Sequence, residues 1–303
     1  MTEIALLDGG LGQEISKRSK DVTHPLWSLK VMFDEPDVVV GVHSDFIEAG
    51  ARIICLNTYT ATPTRLERHD YGDRFEEAHA TAYRLAKAAI SKSGCAAGSI
   101  QIAGCLPPLV ASYKSDFSMN YDESFLEFQR LVDQQKDSVD LFLIETMSNI
   151  DEARAALDAV KETGKPVYVG LTLSDDLSNT LRSGESLEDA ISALVPKKPD
   201  GILLNCSIPE AITKAMPILA RAGVRFGGYA NGFTSIDKLQ PGGTVDVLEA
   251  RKDLTPEAYA NYVEQWIDIG ATIVGGCCEV GPDHIRYLAN KLTASGHTIS
   301  TLG

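Results

Sequence analysis

Three cysteines carry the strongest chemical signal in the sequence. Cys277 and Cys278 are adjacent and follow Gly275-Gly276, whereas Cys206 comes after an earlier apolar run. Adjacent thiols do not easily form an unstrained disulfide with each other, but both can reach one metal ion if the two glycines let the backbone turn sharply. Three thiolates with no fourth sulfur are typical of a catalytic zinc with an open position. The alternative is that they are small core residues, as free cysteines often are.

Strands must bring such distant cysteines together. Short β-branched runs alternate with stretches of helical periodicity along the whole chain. The runs are almost continuously apolar, which predicts strands covered on both faces, and the spacing leaves room for a crossover helix each time. The predicted strands are residues 4–8, 52–56, 100–105, 139–145, 167–173, 201–206, 224–229 and 271–276.

Several of the intervening helices have recognisable ends. Residues 37–49 place apolar side chains on one face and stop at Gly50, a favourable residue beyond a helix C-terminus. Residues 149–163 begin with acidic side chains, and Thr255 precedes Pro256 as a helix cap precedes a first-turn proline. Pro217, inside the helix predicted over 210–221, should kink or split it.

Eight β/α units in 303 residues predict one TIM (β/α)8 barrel domain spanning residues 1–303. The alternative is an open doubly wound sheet, which usually carries G-x-G-x-x-G after its first strand. Here Ile15 occupies the position that should complete this pattern, and no Walker A motif is present. In a barrel the active site forms at the carboxyl ends of the strands, where Asp8, Glu145, Asn205 and the cysteine motifs lie.

Charge and composition exclude other classes of function. Twenty-eight basic against 42 acidic residues give a net charge of −14, which does not suit a phosphate backbone or an anionic membrane surface. No apolar stretch is long enough for a membrane helix, and the first residues do not resemble a secretory signal. We therefore expect a cytoplasmic protein, in which six cysteines are core, metal-binding or catalytic residues and do not form a disulfide framework.

The sequence resembles the zinc-dependent homocysteine S-methyltransferases almost from end to end. The motif Gly275-Gly276-Cys277-Cys278 with Pro282-Asp283-His284-Ile285 after it is the most specific part of the resemblance. The other matching segments are Asp8-Gly9-Gly10-Leu11-Gly12, Pro25-Leu26-Trp27-Ser28, residues 43–51, Asn57-Thr58-Tyr59, Gly104-Cys105-Leu106-Pro107-Pro108, Glu145-Thr146 and Asn205-Cys206-Ser207.

The resemblance implies a TIM barrel with a zinc site formed by Cys206, Cys277 and Cys278 that binds the thiol of homocysteine. Zinc deprotonates a coordinated thiol, so homocysteine would be held as a thiolate and methylated to methionine in one displacement. No further catalytic residue is implied.

The resemblance also implies roles for residues around the metal. Glu145 receives the ammonium group of homocysteine. Asp8 lies near the same end of the substrate, with Gly9 letting the backbone approach. Asn231 can occupy the fourth zinc position without substrate. Asn205 is a further candidate for hydrogen bonding to substrate, with packing at the barrel rim as its alternative.

The methyl donor is expected to be a small sulfonium or ammonium compound, with S-methylmethionine favoured. A cobalamin-dependent enzyme needs further domains, and 303 residues are occupied by one barrel. Pro25-Leu26-Trp27-Ser28 resembles the S-methylmethionine branch, whereas Leu56-Asn57-Thr58-Tyr59 resembles the cobalamin-dependent branch. Two other functions stay open: a methyltransferase partner of a corrinoid protein and a non-catalytic zinc-binding barrel.

The remaining cysteines and one histidine are not expected to bind zinc. Cys55 lies within a strand run and is interpreted as core, and Cys95 lies in a loop. Cys105, near a strand end, is a candidate for the wall of the donor pocket. His284 is expected in the first turn of the last helix.

Overall fold

The computed structural model describes residues 2–20, 24–240 and 243–302 of the chain. Strands and helices alternate along most of it. The strands are β1 (Glu3–Leu6), β2 (Ile53–Cys55), β3 (Gln101–Leu106), β4 (Leu141–Met147), β5 (Val167–Leu171), β6 (Gly201–Asn205), β7 (Phe226–Tyr229), β8 (Ile273–Val274) and β9 (Thr298–Ser300). The helices are α1 (Leu11–Arg18), α2 (Ser28–Asp34), α3 (Pro36–Ala49), α4 (Pro63–Glu67), α5 (Phe75–Ser93), α6 (Tyr121–Gln135), α7 (Ile150–Lys161), α8 (Leu187–Leu194), α9 (Pro209–Leu219), α10 (Pro256–Asp268) and α11 (Pro282–Ala294).

The first eight strands form a closed parallel barrel. Neighbouring strands pair in the order β2-β3-β4-β5-β6-β7-β8-β1. A parallel bridge between Leu7 and Ile53 closes the ring, with hydrogen bonds from Arg52 N to Leu6 O (2.8 Å) and from Asp8 N to Ile53 O (2.9 Å). The predicted TIM barrel is therefore confirmed, and the open doubly wound sheet is wrong.

The barrel has two apolar layers, which explains the continuous apolar runs in the sequence. In β4, Leu141 and Leu143 belong to the cluster inside the barrel. Phe142 and Ile144, which alternate with them, belong to the cluster between strands and helices. Because successive strand side chains point to opposite faces, both faces must be apolar when both are covered.

Strand β9 was not predicted from the sequence. It pairs in parallel with β1, from Glu3 opposite Thr298 to Ala5 opposite Ser300. Leu302 then reaches the interior cluster, and its backbone exchanges two hydrogen bonds, of 2.6 and 2.8 Å, with the side chain of Gln101. This short, polar strand covers the end of the barrel opposite the site, and it lacks the apolar run that marks the other strands.

The predicted helix ends agree with the structure except at Pro217. Gly50 follows α3 with a φ of 116°, and the side chain of Thr255 accepts a hydrogen bond from Ala258 N at the start of α10. Helix α9 continues through Pro217 to Leu219, so the proline does not split it. Pro217 lies in the last turn, two residues before the end of the helix. Its missing N–H therefore removes one helical hydrogen bond close to the end of α9. In the described part of the chain, no helix has the length and apolar character required to cross a membrane.

Candidate active site

A cavity of about 150 Å³ opens at the carboxyl ends of the barrel strands. Its wall includes most of the predicted site residues, which come from β1, β4, β6 and β8 or the turns after them: Asp8, Gly9, Glu145, Cys206, Cys277 and Cys278. Trp27 and Tyr59, from the segment before α2 and the turn after β2, also line it. Asn205 and Asn231 lie behind this wall.

The three predicted zinc ligands meet at one side of this cavity. Their sulfur atoms all lie within 4.8 Å of one another. The structure joins Cys206 and Cys277 as a disulfide, with Cα atoms 5.6 Å apart, and leaves the thiol of Cys278 free. In a tetrahedral zinc site with Zn–S bonds of about 2.3 Å, the sulfurs are separated by roughly 3.8 Å. Once the disulfide is reduced, the three sulfurs therefore fit the donor set of a zinc ion.

Backbone hydrogen bonds join the cysteine loops around the end of β7. Cys206 N donates to Tyr229 O (3.1 Å), and Cys277 N donates to Ala230 O (2.9 Å). Cys278 O accepts from Gly232 N (2.8 Å). Cys206 has a φ of 49°, in the left-handed region that costs energy for a residue with a side chain. Packing around β7 thus holds Cys206 in the turn that brings its sulfur to the other two.

Glycines allow the first and last turns of the barrel to pack tightly. A Cβ atom on Gly9 would lie 2.1 Å from Val280 O, and one on Gly10 would lie 2.7 Å from Cys277 O. The side chain of Gln13, in α1, accepts a hydrogen bond of 2.6 Å from Glu279 N. Any larger residue at either glycine would displace the Cys277-Cys278 turn.

Glu145 and Asp8 form an acidic pair in the same cavity. Glu145 accepts hydrogen bonds from the Cys105 thiol (3.0 Å) and the Tyr229 hydroxyl (3.2 Å). Asp8 accepts one from Cys55 N (2.9 Å). Burial raises the pKa of both carboxyl groups, and the charge of Glu145 raises the pKa of Asp8 further. A cation bound between them would stabilise the ionised form of both carboxyl groups.

Cys55 and Cys105 line the cavity beside Glu145 and form, with it, a second group of potential metal ligands. The Cys55 thiol lies 3.6 Å from the Glu145 carboxylate. Burial, together with the nearby negative charge of Glu145, raises the pKa of the Cys105 thiol to about 12. Both thiols therefore act here as protonated hydrogen-bond donors to Glu145. Cys55 also packs within the barrel interior, as expected of a core residue.

The two asparagines are buried and hold backbone turns. Asn205 accepts from Thr146 N and donates to Thr146 Oγ1, both at 3.0 Å. Thr146 has a φ of 60° directly after Glu145, so Asn205 secures the turn that aims Glu145. Asn231 donates to Cys206 O (2.9 Å) and accepts from Phe233 N (3.2 Å). It lies beside the cysteine cluster, and its oxygen already has one partner.

Two residues in the site were missed by the sequence reasoning. Tyr113, in the long loop after β3, places its hydroxyl 2.9 Å from the Cys206 sulfur. Arg65, in α4, lines the cavity above the ring of Tyr59 at 5.4 Å. Neither belongs to a recognisable motif, so no local signal could have found them. His284 lies in the first turn of α11 and contacts Leu254 O at 3.0 Å, as predicted.

Comparisons with known proteins agree with this geometry. A family model described as homocysteine S-methyltransferase matches residues 5–292. A selenocysteine methyltransferase from Astragalus bisulcatus is 30% identical, covering 97% of this chain and 94% of that protein. Homocysteine S-methyltransferase 2 from Arabidopsis thaliana is 27% identical, with coverages of 95% and 92%. The metallated form of the homocysteine methyltransferase MmuM from Escherichia coli shares the fold, with a TM-score of 0.80, 24% identity and 96% coverage of both chains.

Proposed function

Because the chain belongs to the homocysteine S-methyltransferase family, we propose that residues 1–303 form a single-domain, zinc-dependent enzyme that makes methionine from homocysteine and a small cationic methyl donor. The observation that carries the proposal is the meeting of three cysteine sulfurs within 4.8 Å of one another in a cavity that Glu145 also lines. The side with the three cysteines suits a metal ion and the sulfur of homocysteine, and the side with Glu145 suits its ammonium group.

Cys206, Cys277 and Cys278 would hold the zinc ion as thiolates. When bound, zinc supplies a Lewis acid that keeps the homocysteine sulfur deprotonated at neutral pH. Sulfur ligands favour zinc over hard cations such as Mg²⁺, and MmuM has a metallated form with the same fold. Asn231, beside Cys206, is proposed as the fourth ligand in the absence of substrate.

Glu145 and Asp8 would receive the ammonium group of homocysteine. Both carboxyl groups are buried together, so a bound cation stabilises their ionised forms. Gly9 lets the substrate approach the backbone of the same turn. Asn205, whose amide makes two hydrogen bonds to Thr146, contributes by positioning Glu145.

The donor would be a small sulfonium or ammonium compound, with S-methylmethionine favoured. The homocysteine sulfur forms a bond to the methyl carbon as the donor's own C–S bond breaks, and the electron pair of that bond stays on the donor sulfur. The leaving group is a neutral thioether, so no general acid is required. Trp27 and Tyr59 line the cavity, and their rings would contact the donor cation.

The cysteine cluster also bears on the compartment. Zinc binding requires all three thiols in the reduced form, and reduced thiols persist in the cytoplasm. We therefore propose a cytoplasmic location.

Purified, reduced protein should be offered homocysteine with one donor at a time: S-methylmethionine, S-adenosylmethionine, betaine, methyltetrahydrofolate or a methylated corrinoid protein. We expect about one zinc per chain and the fastest methionine formation with S-methylmethionine. Turnover only with a methylated corrinoid protein would replace the donor proposal with a role as its partner. Bound zinc without turnover on any donor would favour a non-catalytic barrel.

A further inference from the structure

Arg65 is a cationic side chain in the cavity wall without an acidic partner. Its Nη2 donates to Pro108 O (2.8 Å) and to Ser112 Oγ (3.3 Å), both in the loop after β3. Its Nε is buried and has no hydrogen-bond partner. Among the ion pairs of the described residues, none includes Arg65. The guanidinium is thus held through Nη2, whereas its Nε–H has no acceptor in the described part of the chain.

The acidic residue that acts on Arg65 offsets only part of this charge. Glu152, whose charge acts on Arg65, accepts hydrogen bonds from Leu109 N (2.9 Å) and Ser118 Oγ (3.1 Å). Burial lowers the pKa of Arg65, yet an arginine stays protonated in proteins. Arg65 is only partly exposed, and a cation partly removed from water without a paired counter-ion is costly, so a ligand that brings a negative charge would stabilise it.

A second unsatisfied donor lies in the same wall. The indole Nε1 of Trp27 is buried without a partner, and Trp27 lines the cavity. Its segment is fastened to the turn that precedes Arg65, because Thr60 Oγ1 donates to Leu26 O (2.8 Å) and Ser28 Oγ donates to Asn57 Oδ1 (2.6 Å). Trp27 and Arg65 thus lie on connected segments of the cavity wall, and each has a buried N–H group without an acceptor among the described residues.

The cavity as a whole complements a zwitterion. Asp8 and Glu145 supply negative charge, and Arg65 supplies positive charge. An amino acid carries an ammonium and a carboxylate group on one carbon atom. The established acceptor, homocysteine, and the favoured donor, S-methylmethionine, are both amino acids.

We propose that Arg65 is the specificity-determining residue that binds the carboxylate of an amino-acid substrate in this cavity. If the carboxylate is that of the methyl donor, the inference rests on the proposed function. If it is that of homocysteine, the inference rests only on homocysteine methylation. It predicts that the enzyme discriminates against substrates of the same shape that lack a carboxylate. Charge-assisted hydrogen bonds of this kind correspond to about 10- to 100-fold in affinity.

The test compares wild type with Arg65→Met and Arg65→Lys. KM is measured for homocysteine and for 3-aminopropanethiol, which is homocysteine without its carboxylate. It is also measured for S-methylmethionine and for (3-aminopropyl)dimethylsulfonium, which is S-methylmethionine without its carboxylate. Arg154→Met removes a surface charge paired with Asp151 and serves as the charge control, and melting temperatures report on folding.

Arg65→Met should raise KM about 10- to 100-fold for homocysteine or for S-methylmethionine, and less than about twofold for the carboxylate-free compound of that pair. If the selective rise in KM is seen for homocysteine, Arg65 binds the carboxylate of the methyl acceptor. If it is seen for S-methylmethionine, Arg65 binds the carboxylate of the methyl donor. Arg65→Lys should recover part of the loss, and Arg154→Met should change nothing.

Equal losses for the two members of each pair would show that Arg65 only supports the loop after β3, and no loss at all would likewise overturn the inference. If wild type fails to use S-methylmethionine, the donor proposal fails separately. Calorimetric affinities of homocysteine, 3-aminopropanethiol and the two sulfonium compounds still test Arg65 in that case.

Discussion

The hydroxyl of Tyr113 lies 2.9 Å from the sulfur of Cys206, although the two residues are 93 positions apart in the chain. Burial raises the pKa of Tyr113, so its hydroxyl remains protonated and is the donor of this pair. The Arg182 guanidinium lies over the ring of Tyr113, 5.0 Å from its centre, and this cation–π contact helps to hold the ring in place. Tyr113 is therefore placed to orient and stabilise the Cys206 sulfur as a thiolate.

Tyr113→Phe should weaken zinc binding by roughly 10- to 100-fold, as loss of an outer hydrogen bond to a metal ligand commonly does. Competition with a chromophoric chelator measures this affinity. Tyr59→Phe is the matched control, since the Tyr59 hydroxyl contacts Ser112 and no cysteine. Equal zinc affinities of wild type and Tyr113→Phe would contradict this role.

Cys277→Ala should remove most of the bound zinc and most of the activity, because two thiolates and water hold zinc far less tightly than three thiolates. Metal analysis of protein purified under reducing conditions measures the loss. Cys95→Ala, a free cysteine outside the cavity, should keep about one zinc per chain. Full retention of zinc in Cys277→Ala would rule out the three-cysteine site.

Glu145→Gln should raise KM for homocysteine far more than it lowers zinc content. Loss of a charge-assisted contact to the ammonium group costs about 1.5–3 kcal/mol, while Gln can still accept from Tyr229 and Cys105. The thiol 4-mercaptobutanoate has no amino group, so its KM should respond little to the substitution. An unchanged KM for homocysteine would show that its ammonium group binds elsewhere.

His43, buried in α3, should make the protein acid-sensitive. Its ring nitrogens have no partner, and burial lowers its pKa to about 4 from the ordinary 6.5. Between these values the unfolded chain binds the proton more readily, so stability is lost as the pH falls from 6.5 towards 4. The loss attributable to this residue approaches about 3 kcal/mol at the acid end.

Urea unfolding at several pH values between 4.5 and 7.5 tests this expectation. His43→Leu should lose less stability over that range than wild type, because the replacement does not titrate. Parallel pH profiles for the two proteins would show that His43 is not responsible. Burial also lowers the pKa of His79 to about 4. Because His79 is present in both proteins, His43→Leu should keep the share of acid sensitivity that comes from His79.

Much of the architecture could be predicted because it depends on local patterns. Eight apolar runs separated by helical stretches marked the barrel strands, and barrels place functional residues at strand ends. Cys206 directly follows β6, and Cys277 follows β8 after two glycines, so their meeting in one cavity could be expected from topology. The acidic residues were identified by resemblance, since a carboxylate at a strand end has many uses.

Tertiary structure alone decided the contacts that come from distant loops. Nothing near Tyr113 or Arg65 marks them as site residues; they reach the cavity because the turn after β2 and the loop after β3 pack together. Asn205 lies next to a cysteine in sequence, yet its amide forms hydrogen bonds with Thr146 and, in the part of the chain that the structure describes, none with a cysteine. Strand β9 lacks an apolar run and forms because β1 has a free edge below the closure at Leu7. Sequence periodicity reports which face of an element is buried, whereas these contacts depend on barrel closure and on which loops then become neighbours.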